Sequence, residues 1–197
     1  MMSRNKPDTR TKILESTWRL LESTTGDDVR MSDIAKEAGV SRQALYLHFP
    51  NRVDLLIATT RYLDEVKNID ARLAASRSAT TGLTRLDAFI EAWGNYIPEI
   101  FGVAAALLAM QDKDPAAKEA WSNRMQAVRE GCEAAVKALD RDGRLRPELD
   151  ADKATDLLWT LLMVHNWRQL TVACGWTQEA YVDAMKTLAR RMLVCET

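Results

Sequence analysis

The sequence contains few of the residues on which catalytic and metal sites usually depend. Its 197 residues include three cysteines and two histidines. Cys132, Cys174 and Cys195 lie far apart and form no CxxC pair, so we expect reduced thiols, and neither a disulfide framework nor a zinc site. The sequence has no HExxH, P-loop or GxGxxG motif. We therefore expect no bound metal, no cofactor and no enzymatic activity.

Long hydrophobic runs and an excess of one charge are also absent. The longest apolar stretch, Ile100 to Met110, is far shorter than the roughly 18 residues that a membrane-spanning helix requires. The first dozen residues are basic with no apolar run after them, which argues against a secretory signal, so we expect a cytoplasmic protein without a membrane partner. The 27 basic and 28 acidic residues give a net charge of −1 at pH 7. This balance excludes a protein that coats nucleic acid by bulk charge, but not one with a local DNA-reading face.

The sequence does contain strong helical periodicity. Five prolines and eight glycines lie almost entirely between segments whose apolar residues recur at helical spacing, and no segment predicts a strand. The pattern predicts an all-α fold of about nine helices. They cover residues 8–23, 31–38, 41–48, 53–73, 84–97, a segment after Pro98, 114–143, 150–174 and a last helix from 177, with a loop at 75–82.

A candidate helix-turn-helix lies in residues 31–56, whose sequence is MSDIAKEAGVSRQALYLHFPNRVDLL. It contains a short helix, a tight turn at Gly39 and a second helix for which Ser41 is the N-cap. Gly39 suits the turn because glycine adopts a positive φ without strain. A helix-turn-helix places the first residues of its second helix against base edges in the major groove of DNA.

The side chains at the start of this second helix have the chemistry for base reading. Arg42 can pair with guanine O6 and N7, Gln43 with adenine N6 and N7, and Ala44 can contact a thymine methyl group. Tyr46, His48 and Arg52 have the reach for phosphates, and the basic N-terminal segment adds further candidates. The predicted DNA-binding residues are Ser41, Arg42, Gln43, Ala44, Tyr46, His48, Arg52, Arg4 and Lys6.

The same segment resembles the TetR family of one-component transcriptional regulators. The family string D-I-A-x-x-A-G-V-S-x-x-x-L-Y-x-H-F-x-x-(K/R)-x-x-L-L is nearly complete here. Arg30 stands where the family usually has a capping Ser or Thr, and Arg52 replaces the commoner lysine. The resemblance implies a helix-turn-helix DNA-binding domain over residues 1–52 and a helical ligand-binding and dimerisation domain over residues 53–197.

Aromatic and thioether side chains are concentrated after residue 90. At helical spacing such residues are typical of packing between helices, and this interpretation stays open for each of them. Together they also fit an apolar ligand pocket with few polar groups, for which His165 or Asn166 is a candidate. The predicted ligand-binding residues are Trp93, Tyr96, Met110, Trp121, Met125, Trp159, Met163 and Trp167.

The last two predicted helices indicate a homodimer. The helix over 150–174 is apolar on two sides, and the final helix is amphipathic. A four-helix bundle with a second copy would bury the additional faces. The predicted interface residues are Leu158, Leu161, His165, Val182, Met185, Leu188 and Met192.

These patterns lead to one main hypothesis and one alternative. In the main hypothesis the homodimer is a repressor that binds a palindromic operator in double-stranded DNA and is released by a small, largely apolar effector. The helix over 53–73 is the expected rigid link between the DNA head and the effector pocket. The alternative is a ligand-independent DNA-bound adaptor whose helical domain binds a protein partner. Release from DNA by a small molecule distinguishes the two.

Overall fold

The computed structural model of the protein describes residues 8–23 and 29–195. Within these ranges the regular structure is helical, apart from one isolated bridge between Leu145 and Val194, which confirms the all-α prediction. The helices are α1 (Thr9–Ser23), α2 (Met31–Glu37), α3 (Arg42–His48), α4 (Arg52–Val66), α5 (Ile69–Ser78), α6 (Gly82–Met110), α7 (Pro115–Arg141), α8 (Ala151–Leu161), α9 (Val164–Trp167), its π-helical continuation (Arg168–Ala173) and α10 (Gln178–Leu193). No helix in the described ranges has both the length and the apolar character needed to cross a membrane.

The helices form two compact units. The first contains residues 1–67 and 102–124, and the second contains residues 68–101 and 125–197, as far as each is described. The long helices α6 and α7 therefore contribute residues to both. Packing places residues 53–67 in the first unit. The boundary between the DNA-binding and ligand-binding domains after residue 52 therefore stays a prediction about function.

The core of the first unit is made where α1 contacts α4 and α2, and where α2 contacts α3. Fully buried aliphatic side chains from each of these helices meet there, namely Ile13, Leu21, Ile34, Leu45, Leu55 and Leu56. Burial of each such side chain stabilises the fold by about 1.5–3 kcal/mol. The short helices α2 and α3 depend on this burial, because isolated helices of seven residues are unstable in water.

The predicted helix over 53–73 is wrong beyond residue 66. Asn68 has φ 54° and ψ 49°, a left-handed conformation that asparagine tolerates better than most residues, and it ends α4. Residues 69–78 form α5, so the predicted loop at 75–82 is much shorter. Arg72 holds α5 on α6 through an ion pair with Glu99 at 2.6 Å. This tertiary contact adds to the helix propensity of the Ala, Leu and Arg residues in the segment.

The helix α6 does not end at Pro98, where the sequence predicted an end or a kink. Proline has no N–H, so the carbonyl of Gly94 loses its helical donor. Gln178 replaces that donor, because its Nε2 donates to the Gly94 carbonyl at 2.8 Å. The Oε1 atom of Gln178 also accepts a hydrogen bond from Trp167 Nε1 at 2.8 Å. A side chain distant in sequence therefore satisfies the carbonyl and permits the helix to continue.

The predicted helix over 150–174 is divided at Leu162 and Met163. Met163 has extended backbone angles, φ −62° and ψ 138°. The side chain of Asn166 donates to two carbonyls at the end of α8, at 2.8 and 3.2 Å. Trp93 Nε1 donates to the Leu162 carbonyl at 2.8 Å. These donors stabilise the break because they satisfy carbonyls that a continuous helix would have paired internally.

Candidate nucleic-acid interface

The helices α2 and α3 meet in a tight turn at Gly39. Its φ of 65° lies in the left-handed region that favours glycine. The N–H of Val40 donates to the Ala35 carbonyl at 3.0 Å, which closes the end of α2. Ser41 then begins α3, because its hydroxyl accepts a hydrogen bond from the Ala44 N–H at 3.0 Å. The predicted turn and N-cap are both confirmed.

The start of α2 has no such cap. Arg30 occupies the N-cap position and makes no side-chain capping hydrogen bond. Its backbone carbonyl accepts from the N–H groups of Asp33 and Ile34 at 3.0 and 3.1 Å. The carboxylate of Asp33, in the first turn, offsets the missing cap because a negative charge is favourable at a helix N-terminus.

One face of α3 is open to solvent. Leu45 is fully buried and holds the helix on the rest of the head. Arg42 and Gln43 are exposed at its first turn, and Tyr46 and His48 are exposed toward its end. The structure leaves Arg42 and Gln43 accessible for base reading, and their contact with bases stays a prediction.

The other predicted DNA-binding residues are half-buried, engaged in a helix cap or outside the described residues. Ala44 is half-buried, and Ser41 is occupied as the cap of α3. Arg4 and Lys6 lie outside the described residues, so their contacts stay predictions.

A small polar cluster borders the exposed face of α3. The guanidinium of Arg10 lies over the ring of Phe49, 5.1 Å from its centroid. Asp8 caps α1 by accepting a hydrogen bond from the Thr11 N–H at 2.7 Å. This hydrogen bond, and to a smaller extent the charges of His48 and Arg10, lower the pKa of Asp8. The carboxylate is therefore ionised at neutral pH, and it marks an edge that a phosphate would avoid.

Arg52 does not project toward a phosphate position. Its Nε and Nη2 atoms lie 2.9 and 2.8 Å from Asp114 Oδ2, its Nη1 donates to the Val29 carbonyl, and its Nη2 lies 3.9 Å from Met110 Sδ. Both charged side chains are only 18% exposed. We therefore assign Arg52 to the interior of the first unit instead of to the DNA face. Sequence reasoning placed it wrongly because a motif position does not show which partner a long side chain finds.

A second ion pair joins the same two helices. Arg124 Nη2 lies 3.3 Å from Asp64 Oδ1, and both side chains are mostly buried. Arg52 and Asp64 are about 18 Å apart along α4, and Asp114 and Arg124 are about 15 Å apart along the start of α7. The two pairs therefore hold α4 to α7 at two points along its length. We call them the α4 clamp.

The head also matches a known family. Residues 13–59, which include the whole helix-turn-helix, match the model of bacterial regulatory proteins of the tetR family. This segment of the chain is therefore similar to the DNA-binding segment of TetR-family regulators. The match confirms the predicted resemblance of the helix-turn-helix to this family of transcriptional regulators.

Relatives of known sequence or structure extend the likeness beyond the head. The nucleoid occlusion factor SlmA of Marinomonas sp. (strain MWYL1) is 27% identical over 114 residues, 58% of this chain and 50% of that protein. The chain thus matches about half the length of that relative. The HTH-type transcriptional regulator CymR of Pseudomonas putida is 26% identical over 174 residues, 87% of this chain and 82% of that protein.

A solved structure shares the fold along almost the whole chain. The crystal structure of a transcriptional regulator from Saccharomonospora viridis in complex with choline aligns with a TM-score of 0.71 and 21% identity. The alignment covers 95% of this chain and 98% of that chain. At this identity the likeness shows the fold alone.

Most of the predicted effector-binding side chains are core residues. Met110 and Trp121 lie in the first unit and the other six in the second, and all are buried except the half-buried Trp159 and Met163. In the second unit, the rings of Trp93 and Tyr96 lie 6.2 Å apart, and Trp167 packs 4.8 Å from Phe101. Packing between helices therefore accounts for Trp93, Tyr96 and Trp167, and their contact with an effector stays a prediction.

The predicted dimer residues divide into two groups. Leu158, Val182 and Met185 are at most 5% exposed within one subunit, so they cannot present their side chains to a second copy without repacking. Leu161 and Met192 are half-buried, and His165 and Leu188 are exposed. These three side chains are core residues of one subunit, and a role for them in an interface stays a prediction.

The sequence analysis missed the exposure of Leu47 and the ion-pair role of Asp114. Leu47 on α3 is 80% exposed, the highest value among the large apolar side chains that the structure describes. Its position 200° around the helix from buried Leu45 is the signal that could have identified it. Asp114 caps α7, because its carboxylate accepts a hydrogen bond from the Ala116 N–H at 2.9 Å. Its second role, as the partner of Arg52, required the tertiary structure.

Asp114→Asn tests the α4 clamp because asparagine keeps the helix cap and removes the charge. We expect Asp114→Asn and Arg52→Ala each to lower the free energy of unfolding by about 1–3 kcal/mol, since each leaves a mostly buried charge without its ion-pair partner. The double variant should lose less than the sum of the two single losses. Urea unfolding measures these values, and Arg61→Ala, an exposed position on α4, is the matched control.

The same variants distinguish the clamp from a phosphate contact. If Arg52 belongs to the clamp, Arg52→Ala leaves unchanged the slope of DNA affinity against salt concentration. Additive losses of stability together with a salt slope reduced by about one would contradict our assignment.

Proposed function

We propose that the protein is a repressor that binds a palindromic operator as a homodimer and is released by a small effector. One observation carries the DNA-reading part of this proposal: the solvent-open face of α3, with Arg42 and Gln43 at its capped first turn. Arginine and glutamine are the side chains best suited to guanine and adenine edges in the major groove. Such a regulator acts in the cytoplasm, where bacterial DNA lies.

Arg42→Ala is expected to weaken operator binding by about 1–3 kcal/mol and to relax preference at one base pair in each half-site. The operator is first isolated by selection from random DNA with the full chain, and both variants are then compared on every single-base change. Lys36→Ala, an exposed cation on α2, is the matched control for a general loss of positive charge. Equal losses by Arg42→Ala on the operator and on random DNA would contradict a base-reading role.

The dimer part of the proposal rests on apolar side chains that α8 and α10 leave open. Leu157 and Leu188 are 41% and 47% exposed, and Leu161 and Met192 are half-buried. Ion pairs of Lys186 with Glu91 and of Arg190 with Asp87 hold α10 on α6, on the side of the helix away from Leu188. A two-fold axis between two such surfaces gives the dimer the symmetry of a palindromic operator, whose half-sites lie about 34–36 Å apart.

Leu188→Glu is expected to convert the dimer into a folded monomer, because an ionised carboxylate resists burial in an apolar interface. Analytical ultracentrifugation should show a 22.2 kDa species with an unchanged helical circular dichroism spectrum. Val66→Glu places the same charge at an exposed apolar position of α4 and should remain dimeric. Wild-type protein that sediments only as a monomer at micromolar concentration would refute the dimer.

The effector part of the proposal rests on buried donors in the second unit. The hydroxyl of Tyr181 and the Nε1–H of Trp159 are buried and, among the described residues, have no hydrogen-bond partner. Burial also raises the pKa of Tyr181, so the hydroxyl keeps its proton and acts as a donor. A buried donor without a partner costs about 1–3 kcal/mol, which an acceptor on a ligand would recover. We therefore propose an effector with an apolar body and at least one hydrogen-bond acceptor.

The effector proposal is tested with 1-anilinonaphthalene-8-sulfonate as a fluorescent probe of the apolar site. Apolar carboxylic acids and ketones are screened for displacement of the probe and, in parallel, for release of the operator. Tyr181→Phe should weaken a displacing compound about 5- to 10-fold without loss of stability, because it removes only the hydroxyl. Tyr62→Phe, whose hydroxyl is paired with Glu15 at 3.1 Å, is the matched control. If compounds displace the probe and none changes DNA affinity, the protein is an adaptor that binds a protein partner.

A further inference from the structure

We propose that Leu47 is a specificity-determining residue that reads the 5-methyl group of a thymine in the operator. The inference rests on the proposed DNA-binding function and identifies a base contact that the arginine and glutamine of α3 do not supply. A single exposed leucine is common on protein surfaces and does not by itself indicate a binding site. The position of Leu47 on the exposed face of α3 is what indicates one.

Leu47 lies at the centre of the exposed face of α3. Successive residues of an α-helix are separated by about 100°, so Leu47 and Gln43 each lie about 200° from Leu45, in opposite directions. Since Leu45 is fully buried, both side chains project directly away from the core. They are only about 40° apart on this face. Any surface that covers Gln43 therefore also covers Leu47.

The chemistry of Leu47 matches one group in the major groove. The thymine methyl is the apolar group that a base pair presents there, whereas the other base-edge groups are hydrogen-bond donors or acceptors. The isobutyl side chain of Leu47 is 80% exposed, so contact with a methyl group removes apolar surface from water on both sides. The sequence analysis assigned this contact to Ala44, but that side chain is half-buried and lies to one side of the face.

The spacing also predicts where the thymine lies. Gln43 and Leu47 are separated by about 6 Å along the helix axis, and successive base pairs are separated by about 3.4 Å. A helix that follows the groove would thus place the thymine one or two base pairs from the adenine that Gln43 contacts. Each half-site of the operator is expected to contain this adenine and thymine pair of contacts.

The experiment removes the two interacting groups separately. After the operator has been selected with the full chain, each thymine is replaced in turn by deoxyuracil, which lacks only the 5-methyl group. Wild-type affinity should fall about 4-fold per half-site at one thymine position. Leu47→Ala should be weaker than wild type on the unmodified operator and should change less than roughly 2-fold at that same position. Val66→Ala, which truncates an exposed apolar side chain of α4, should respond as wild type does.

The outcomes separate this inference from the proposed function. Equal losses for wild type and Leu47→Ala at every thymine, or no loss at any thymine, would overturn the contact while operator binding itself stands. If wild-type protein selects no sequence at all, the DNA-binding proposal fails and this inference fails with it. Circular dichroism of Leu47→Ala excludes misfolding as the cause of weaker binding.

Discussion

The first unit depends on the carboxylate of Asp114. One oxygen accepts the Ala116 N–H and starts α7, and the other accepts from the guanidinium of Arg52 at the start of α4. The same guanidinium donates to the Val29 carbonyl, just before α2. One ion pair thus fixes the beginning of three helices. Because a carboxylate removed from water requires several donors, the position of each helix is tied to that of the others.

The α4 clamp also helps to set the orientation of the base-reading helix α3. Since α3 is a helix of seven residues, its orientation is set by what it packs on. Leu45 and Phe49 anchor it to the core of the unit, and α4 begins three residues after Phe49. With α4 joined to α7 by two mostly buried ion pairs, the base-reading face is held by the start of α7 as well as by the helix-turn-helix itself. A shift of α7 within this unit would therefore displace Arg42, Gln43 and Leu47 together.

The second unit is shaped by carbonyls that local helical bonds leave unpaired. Gln178 donates to the carbonyl freed by Pro98, and Trp93 and Asn166 donate to those freed by the break after α8. These donors serve structure, which is why several aromatic residues expected around an effector are core residues instead. The buried donors of Tyr181 and Trp159, for which the described residues offer no acceptor, are the exceptions. They favour an effector with a polar group that accepts a hydrogen bond, in addition to an apolar body.

The sequence by itself determined the all-α class, the helix-turn-helix with its Gly39 turn and Ser41 cap, and the resemblance of this segment to the TetR family. These features are local: a cap, a turn or a periodic stripe acts over four to seven residues and is visible in the chain itself. Only the tertiary structure decided that α6 passes Pro98, that α8 ends at Leu161 and that Arg52 faces Asp114. In each case a partner distant in sequence changes the hydrogen-bond balance of a local segment. The same reason explains why Leu158, Val182 and Met185 are core and Leu47 is open: two apolar faces on one helix look alike until packing covers one of them.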